Sequence, residues 1–112
     1  MSDNLPYPSM PEEPVIKVYP PDYKKVPGSG RMAEAVKNYI EHGFQPGHFL
    51  TSVICNDLQG AFSHADSENA ALMHDWIKFF YNEIQSNAWG SPKVMNDWMD
   101  HFDIDGNIEK LK

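Results

Sequence analysis

A single cysteine, Cys55, stands in 112 residues. No internal disulfide is possible, and a thiolate-rich zinc site is excluded because it needs several sulfur ligands. The chain therefore reads as one from a reducing, cytoplasmic compartment. Long apolar runs are missing as well. No stretch approaches the roughly 18 residues of a membrane span, and no basic region followed by an apolar run marks the N-terminus, so neither a membrane partner nor a secretory leader is expected. Bases are scarce: nine Lys and Arg face sixteen Asp and Glu, a formal charge of −7, and they form no block. The electrostatic footprint of a direct nucleic-acid binder or an anionic-membrane binder is absent. Acids and bases are interspersed, which argues equally against imitation of the charge on a duplex.

The apolar share of 41% and charged share of 22% are those of a folded chain. One small domain is expected, burying roughly 65% of its unfolded surface, so homo-oligomerisation is a natural supplement to its core. Seven of the nine prolines fall within residues 1–27, among them Pro6, Pro8, Pro11, Pro14, Pro20 and Pro21. Each removes a backbone donor and pushes its neighbour toward extended conformations. Residues 1–30 are thus expected to form a proline-rich extended arm or linker, with Val15, Ile16, Val18 and Tyr19 in at most a short edge strand. Pro27, Gly28, Ser29 and Gly30 make a flexible joint. Residues 31–102 are expected to be helical, and 103–112 an acidic C-terminal tail.

The apolar period becomes 3.6 from Arg31, and four helices are predicted. The first, residues 31–42, turns Ala33, Val36, Tyr39 and Ile40 inward and ends at His42, with Gly43 as the residue just beyond. The second opens at Pro46 and runs to about His64, burying Phe49, Leu50, Val53, Ile54, Leu58, Ala61 and Phe62. Asp66 or Ser67 caps the third, about 67–84, whose inward face is Leu72, Met73, Trp76, Ile77, Phe80 and Ile84. After a turn at Asn87–Gly90, Ser91 caps a fourth with Pro92 at its first position and Val94, Met95, Trp98, Met99 and Phe102 on one side, ending near His101. Short connections make successive helices neighbours, so the expected fold is all-α, a compact antiparallel bundle of about four helices.

No cofactor or metal is expected. The five histidines include no i, i+4 pair enclosing a glutamate, and His48 and His64 stand roughly 24 Å apart at the ends of one straight helix. Asp97, Asp100 and His101 share a face of the last helix. Asp103, Asp105 and Asn107 resemble the start of a calcium loop, but Ile108 replaces the glycine that loop requires. From Asp97 to Glu109 five acids run without a Lys or Arg among them. These are unfavourable beside a helix C-terminus and suited to a basic partner. Cys55, set in the apolar stripe, is expected to behave as a small hydrophobe. No phosphate loop, nucleophile elbow or catalytic carboxylate pair is present, so the chain is read as non-enzymatic.

Asn56 and Asp57, placed in the middle of the second helix, disfavour helix and need partners. The candidates are Asn82, Tyr81 or the backbone of the Trp89–Ser91 turn. The pair is either a buried network that sets helix register or the polar floor of a binding cleft. Trp89 is either a partly exposed anchor or a plug over the ends of the third and fourth helices. The candidate binding residues are Asn56, Asp57, Tyr81, Asn82, Glu83, Trp89, Asp97, Asp100 and His101.

Gly43, Phe44, Gln45, Pro46, Gly47, His48, Phe49 and Leu50, then Asn56-Asp57-Leu58, Ala61, Ala65-Asp66, Asn69, Tyr81-Asn82-Glu83 and Trp89-Gly90-Ser91-Pro92 carry a resemblance. Together, over about residues 36–98, they resemble a family of small proteins of tailed bacteriophages and prophages. Gln85 stands near where that pattern has a proline, the arm lies outside it, and no catalytic residue comes with it. The resemblance implies synthesis in the cytoplasm of an infected bacterium and a host protein, such as a defence component, as partner. The leading expectation is a phage-type protein that binds and inhibits or redirects a host protein through the acidic face of its last helix and its arm. The alternative is an oligomeric sponge for a small nucleotide or signalling metabolite, with Trp89 or Tyr81 stacking on the base and Arg31, Lys78 or Lys93 meeting phosphate.

Overall fold

The structure, a computed structural model, describes residues 18–28 and 30–107. Pro6, Pro8, Pro11, Pro14, the start of the expected edge strand and residues 108–112, Glu109 included, lie outside these. The described residues are all-α. They form six helices, α1 (Gly30–His42), α2 (His48–Ile54), α3 (Leu58–His64), α4 (Ser67–Ala71), α5 (Met73–Glu83) and α6 (Pro92–Met99), with 3-10 turns at Tyr23–Lys25 and Ser86–Ala88. Four helices were expected; the second and third are each divided.

The first division is made by Asn56 and Asp57. The α-type ladder of α2 ends with the Cys55 N–H on the Thr51 carbonyl at 2.9 Å. Asn56 then takes φ +61°, the left-handed conformation that asparagine tolerates better than most residues. The Asp57 N–H turns back to the Ser52 carbonyl at 2.8 Å, and its carboxylate caps α3 by accepting from the Gly60 N–H at 3.0 Å. Only glycine fits at 60: an added Cβ would overlap the Asp57 carboxylate and lie 2.8 Å from Ser52 Oγ. A residue that tolerates left-handed backbone followed by a strong N-cap stops one helix and starts the next, even inside a continuous apolar stripe. The chain doubles back, and the His48 and His64 rings stack with centroids 5.0 Å apart and planes inclined by 25°. The separation of roughly 24 Å expected of one straight helix is therefore wrong.

The second division is slight. Asp66, rather than Ser67, caps α4, accepting from the Asn69 N–H at 2.7 Å. At Leu72 the backbone moves only to φ −97°, ψ 12°. Bonds of the i→i−4 type run through the residue, from its N–H to the Glu68 carbonyl at 3.0 Å and from the Trp76 N–H to its own carbonyl at 2.9 Å. The other ends follow expectation. Ser91 caps α6 through the Val94 N–H at 3.1 Å, with Pro92 first in the helix. Gly43, at φ +69°, closes α1 where any Cβ would strike the Phe102 ring.

Val36, Tyr39 and Ile40 of α1, Phe49, Leu50, Val53 and Ile54 of α2, Trp76, Phe79 and Phe80 of α5, and Met95 and Trp98 of α6 form the core. The polar groups of three of its aromatic side chains are paired, as burial demands. The Tyr39 hydroxyl donates to the Ala88 carbonyl at 2.6 Å, and the Trp98 indole to the Tyr39 carbonyl at 3.2 Å. The Trp76 indole donates to Asn69 Oδ1 at 3.0 Å. Burial, more than the nearby Cys55 thiol, pushes the Tyr39 phenol well above its ordinary value.

Residues 18–27 lie against this core. Pro21 is buried, and Val18, Tyr23 and Val26 pack on the helices. The Tyr19 N–H donates to Gln85 Oε1 at 2.7 Å, the Asp22 N–H to Glu83 Oε1 at 3.1 Å, and the Tyr23 hydroxyl to Glu41 Oε2 at 2.8 Å. Lys25 and Pro27 line one cleft with Phe79. This second cover turns the buried arc of α5 toward Phe79, which was not expected inside, and leaves Ile77, which was, 38% exposed.

Candidate functional site

Dividing the second helix also changes which apolar side chains meet water. In α3, Leu58 is 61% and Phe62 50% exposed, although both were expected inside. They are four residues apart and so share a face. In α5, Ile77 and Tyr81 have the same spacing, and Tyr81 is 80% exposed. Leu58 and Ile77 border one shallow groove whose floor includes Ala61 and Met73 and whose head carries Asn56 and Asp57. Leu58 and Ile77 thus flank a polar-headed groove, and Phe62 and Tyr81 stand exposed one turn further along the same two helices. An exposed grouping of this kind marks interaction sites in soluble proteins.

The expected binding residues are distributed over this face and elsewhere. Asn56 and Asp57 lie at the groove, but neither forms the expected bond to Tyr81 or Asn82 among the described residues. The Trp89–Ser91 turn meets the end of α2 differently, through the Gly90 N–H on the Ile54 carbonyl at 2.7 Å. Tyr81 stands on the apolar face. Asn82 opens on the opposite flank of α5, onto a cleft of about 490 Å³ shared with Lys25, Asp75 and Lys78. Glu83 receives the Asp22 N–H and, at 3.3 Å, the Lys25 ammonium, so its carboxylate anchors residues 22–25. Trp89 is half-buried with its ring 5.3 Å from that of Phe80. On α6, Asp97 is held by Lys93 at 2.7 Å, and this pairing raises the Lys93 ammonium above its ordinary value. The His101 ring accompanies the Asp97 carbonyl at 2.7 Å. Asp100 is exposed at the helix end.

The Cys55 thiol is pushed up by burial and, to a lesser degree, by the Asp57 carboxylate. It contacts Met95 Sδ at 3.6 Å, and a thiol held protonated is a poor nucleophile. Asp103 folds a turn on itself, its Oδ1 accepting from the Asp105 and Asn107 N–H groups, each at 2.9 Å. No three His, Cys, Asp or Glu side chains among the described residues are placed to hold a metal ion. No helix among them is long and apolar enough to cross a membrane. Arg31 and Lys78 open onto separate clefts, and Lys93 is tied to Asp97.

Sequence reasoning missed Leu58, Phe62 and Ile77 as surface residues. The signal that would have found Leu58 and Phe62 is the Asn56-Asp57 step itself, read as a cap instead of an interior polar pair; Ile77 is left exposed by the cover that residues 18–27 give α5. Comparison of the chain with protein-family models, with curated proteins and with solved structures gives no match.

Proposed function

We propose that this chain is a non-enzymatic binding module, of the phage type that occupies a host protein to inhibit or redirect it, and that its partner seats on the face of Leu58, Phe62, Ile77 and Tyr81. The exposure of these four side chains, one i, i+4 pair on each of two helices, is the observation that carries the reading. Burying a fully exposed Leu, Ile or Phe side chain contributes about 1.5–3 kcal/mol, of which Leu58 and Phe62, 61% and 50% exposed, still have half or more to give, and large apolar or aromatic anchors at the centre of a patch dominate interface energies. The occupant that suits this face is an amphipathic helix, whose own apolar row at the same spacing would lie across Leu58 and Ile77. Asp57 at the head of the groove and the net charge of −7 favour a partner with basic residues flanking that row. The acidic face of α6 is a weaker candidate, because Asp97 is already paired with Lys93. Residues 19–25 are engaged with Glu83, Gln85 and Glu41 of the same chain.

The test immobilises wild type, Leu58→Ser/Tyr81→Ser and Asp97→Asn/Asp100→Asn, and compares what each captures from bacterial lysate, with thermal melts and light scattering alongside. The reading requires one protein that wild type and the α6 variant retain and the Leu58/Tyr81 variant loses without a change in melting. Capture indifferent to the Leu58/Tyr81 pair would refute it. A wild-type dimer that this variant dissociates would replace the foreign partner with a second copy of the chain.

A further inference from the structure

The reversal at Asn56 and Asp57 builds a second feature on the other side of the α2–α3 hairpin. His48 opens α2 and His64 closes α3, and their stacked rings border an open cleft of about 460 Å³. This volume is within the range of small-molecule sites. Met32, Phe49 and Leu50 give the cleft an apolar wall, and Arg31 of α1 stands at its rim.

Asn69, only 7% exposed, also lines this cleft. The Trp76 indole can only donate, so Asn69 Oδ1 must face it, as the 3.0 Å bond shows. The amide nitrogen of Asn69 is left with no acceptor among the described residues. Leaving a buried N–H group unpaired is costly, and native sites do so where a ligand or water completes the bonding. The Arg31 guanidinium and the two imidazoles likewise make no hydrogen bond or ion pair among the described residues. Asp66, the one acid on the cleft, spends Oδ1 on the Asn69 N–H. The cleft therefore has an excess of donors beside an apolar wall.

We infer that this cleft binds a small organic anion, a carboxylate or phosphate monoester on a flat apolar body, with the anionic head against Arg31, the imidazoles and the Asn69 amide. A metal ion is the poorer occupant. No three His, Cys, Asp or Glu side chains among the described residues are placed to hold one. For an anion, the imidazole N–H groups of His48 and His64 beside the Arg31 guanidinium supply donors from three helices. The groups lining the cleft that can meet an anion are His48 from α2, His64 from α3 and Arg31 from α1, with Asp66 ahead of α4 the one acid among them.

Benzoate, phenyl phosphate, benzyl alcohol, inorganic phosphate and Zn²⁺ are titrated into the full chain, with the His48 and His64 ring resonances followed by NMR. The inference predicts saturable binding of benzoate and phenyl phosphate at these two rings. It also predicts a loss of about tenfold in Arg31→Gln and in His48→Gln/His64→Gln, the scale of one charge-assisted bond. Both variants change exposed side chains, and their thermal melts are recorded to show that folding is intact. Failure to bind either organic anion would overturn the inference. So would benzyl alcohol or inorganic phosphate binding as tightly as phenyl phosphate, affinity indifferent to both variants, or tighter saturable binding of Zn²⁺ at the same rings. Carboxylate preference over phosphate, or the reverse, identifies which anion the cleft selects.

Discussion

Two stretches that read as continuous helices are interrupted, at residues 55–57 and at residue 72, and the interruptions differ in kind. At the first, a left-handed Asn56 and a capping Asp57 end the ladder and reverse the chain. At the second, Leu72 departs modestly from helical angles while bonds of the helical type continue on either side of it. Residue chemistry decides the difference. Asparagine accepts a positive φ, and aspartate offers an oxygen to the orphan N–H groups of a new first turn; leucine does neither. The reversal then makes both surfaces of interest, because it turns Leu58 and Phe62 outward on one side and brings His64 to His48 on the other.

The largest effect should come from jamming the reversal. Gly60→Val places a branched side chain against the Asp57 carboxylate and Ser52 Oγ and should cost about 2–3 kcal/mol in chemical denaturation. Next, Tyr39→Phe leaves the buried Ala88 carbonyl without its donor. It loosens the turn whose Gly90 N–H holds the end of α2, and should cost about 2 kcal/mol. The same variant has a pH signature. A phenol raised by burial above its unfolded value near 10 contributes stability that is full below pH 10 and lost as pH rises toward the folded value. Wild type should therefore weaken above pH 10 more steeply than Tyr39→Phe. Tyr23, raised chiefly by burial and then by its bond to Glu41, keeps its own share of that slope.

Asp57→Ala removes one cap and should cost about 1 kcal/mol, a melting shift of several degrees at this size. Asn56→Gly keeps the backbone that position needs and should fall within about 0.5 kcal/mol of wild type. A loss from Asn56→Gly as large as that from Asp57→Ala would mean that the Asn56 side chain, and not its tolerance of positive φ, holds the reversal.

Much of the fold was legible because local chemistry and tertiary packing agree over α1 and α6. Gly43 beyond His42, and Ser91 before Pro92, are end signals that act without long-range help. The second helix misled because the apolar stripe from Phe49 to Phe62 keeps helical spacing straight through the stop. Periodicity alone cannot register a reversal that a two-residue capping step produces. Phe79 and Ile77 exchanged places for another reason: residues 18–27 cover α5 from a direction that no feature of α5 itself encodes. The His48–His64 pair was invisible for the same cause as the Leu58–Phe62 face, since both are consequences of the chain turning at 56–57.

The most direct test of this account is nuclear Overhauser spectroscopy of the histidine ring protons, with the backbone of residues 52–60 assigned in the same sample. Rings stacked with centroids 5.0 Å apart should give cross-peaks between His48 and His64, together with a positive-φ coupling at Asn56. Silence between the two rings, with helical contacts running unbroken from Val53 to Ala61, would mean that the helix continues. The apolar face and the anion cleft would then both disappear.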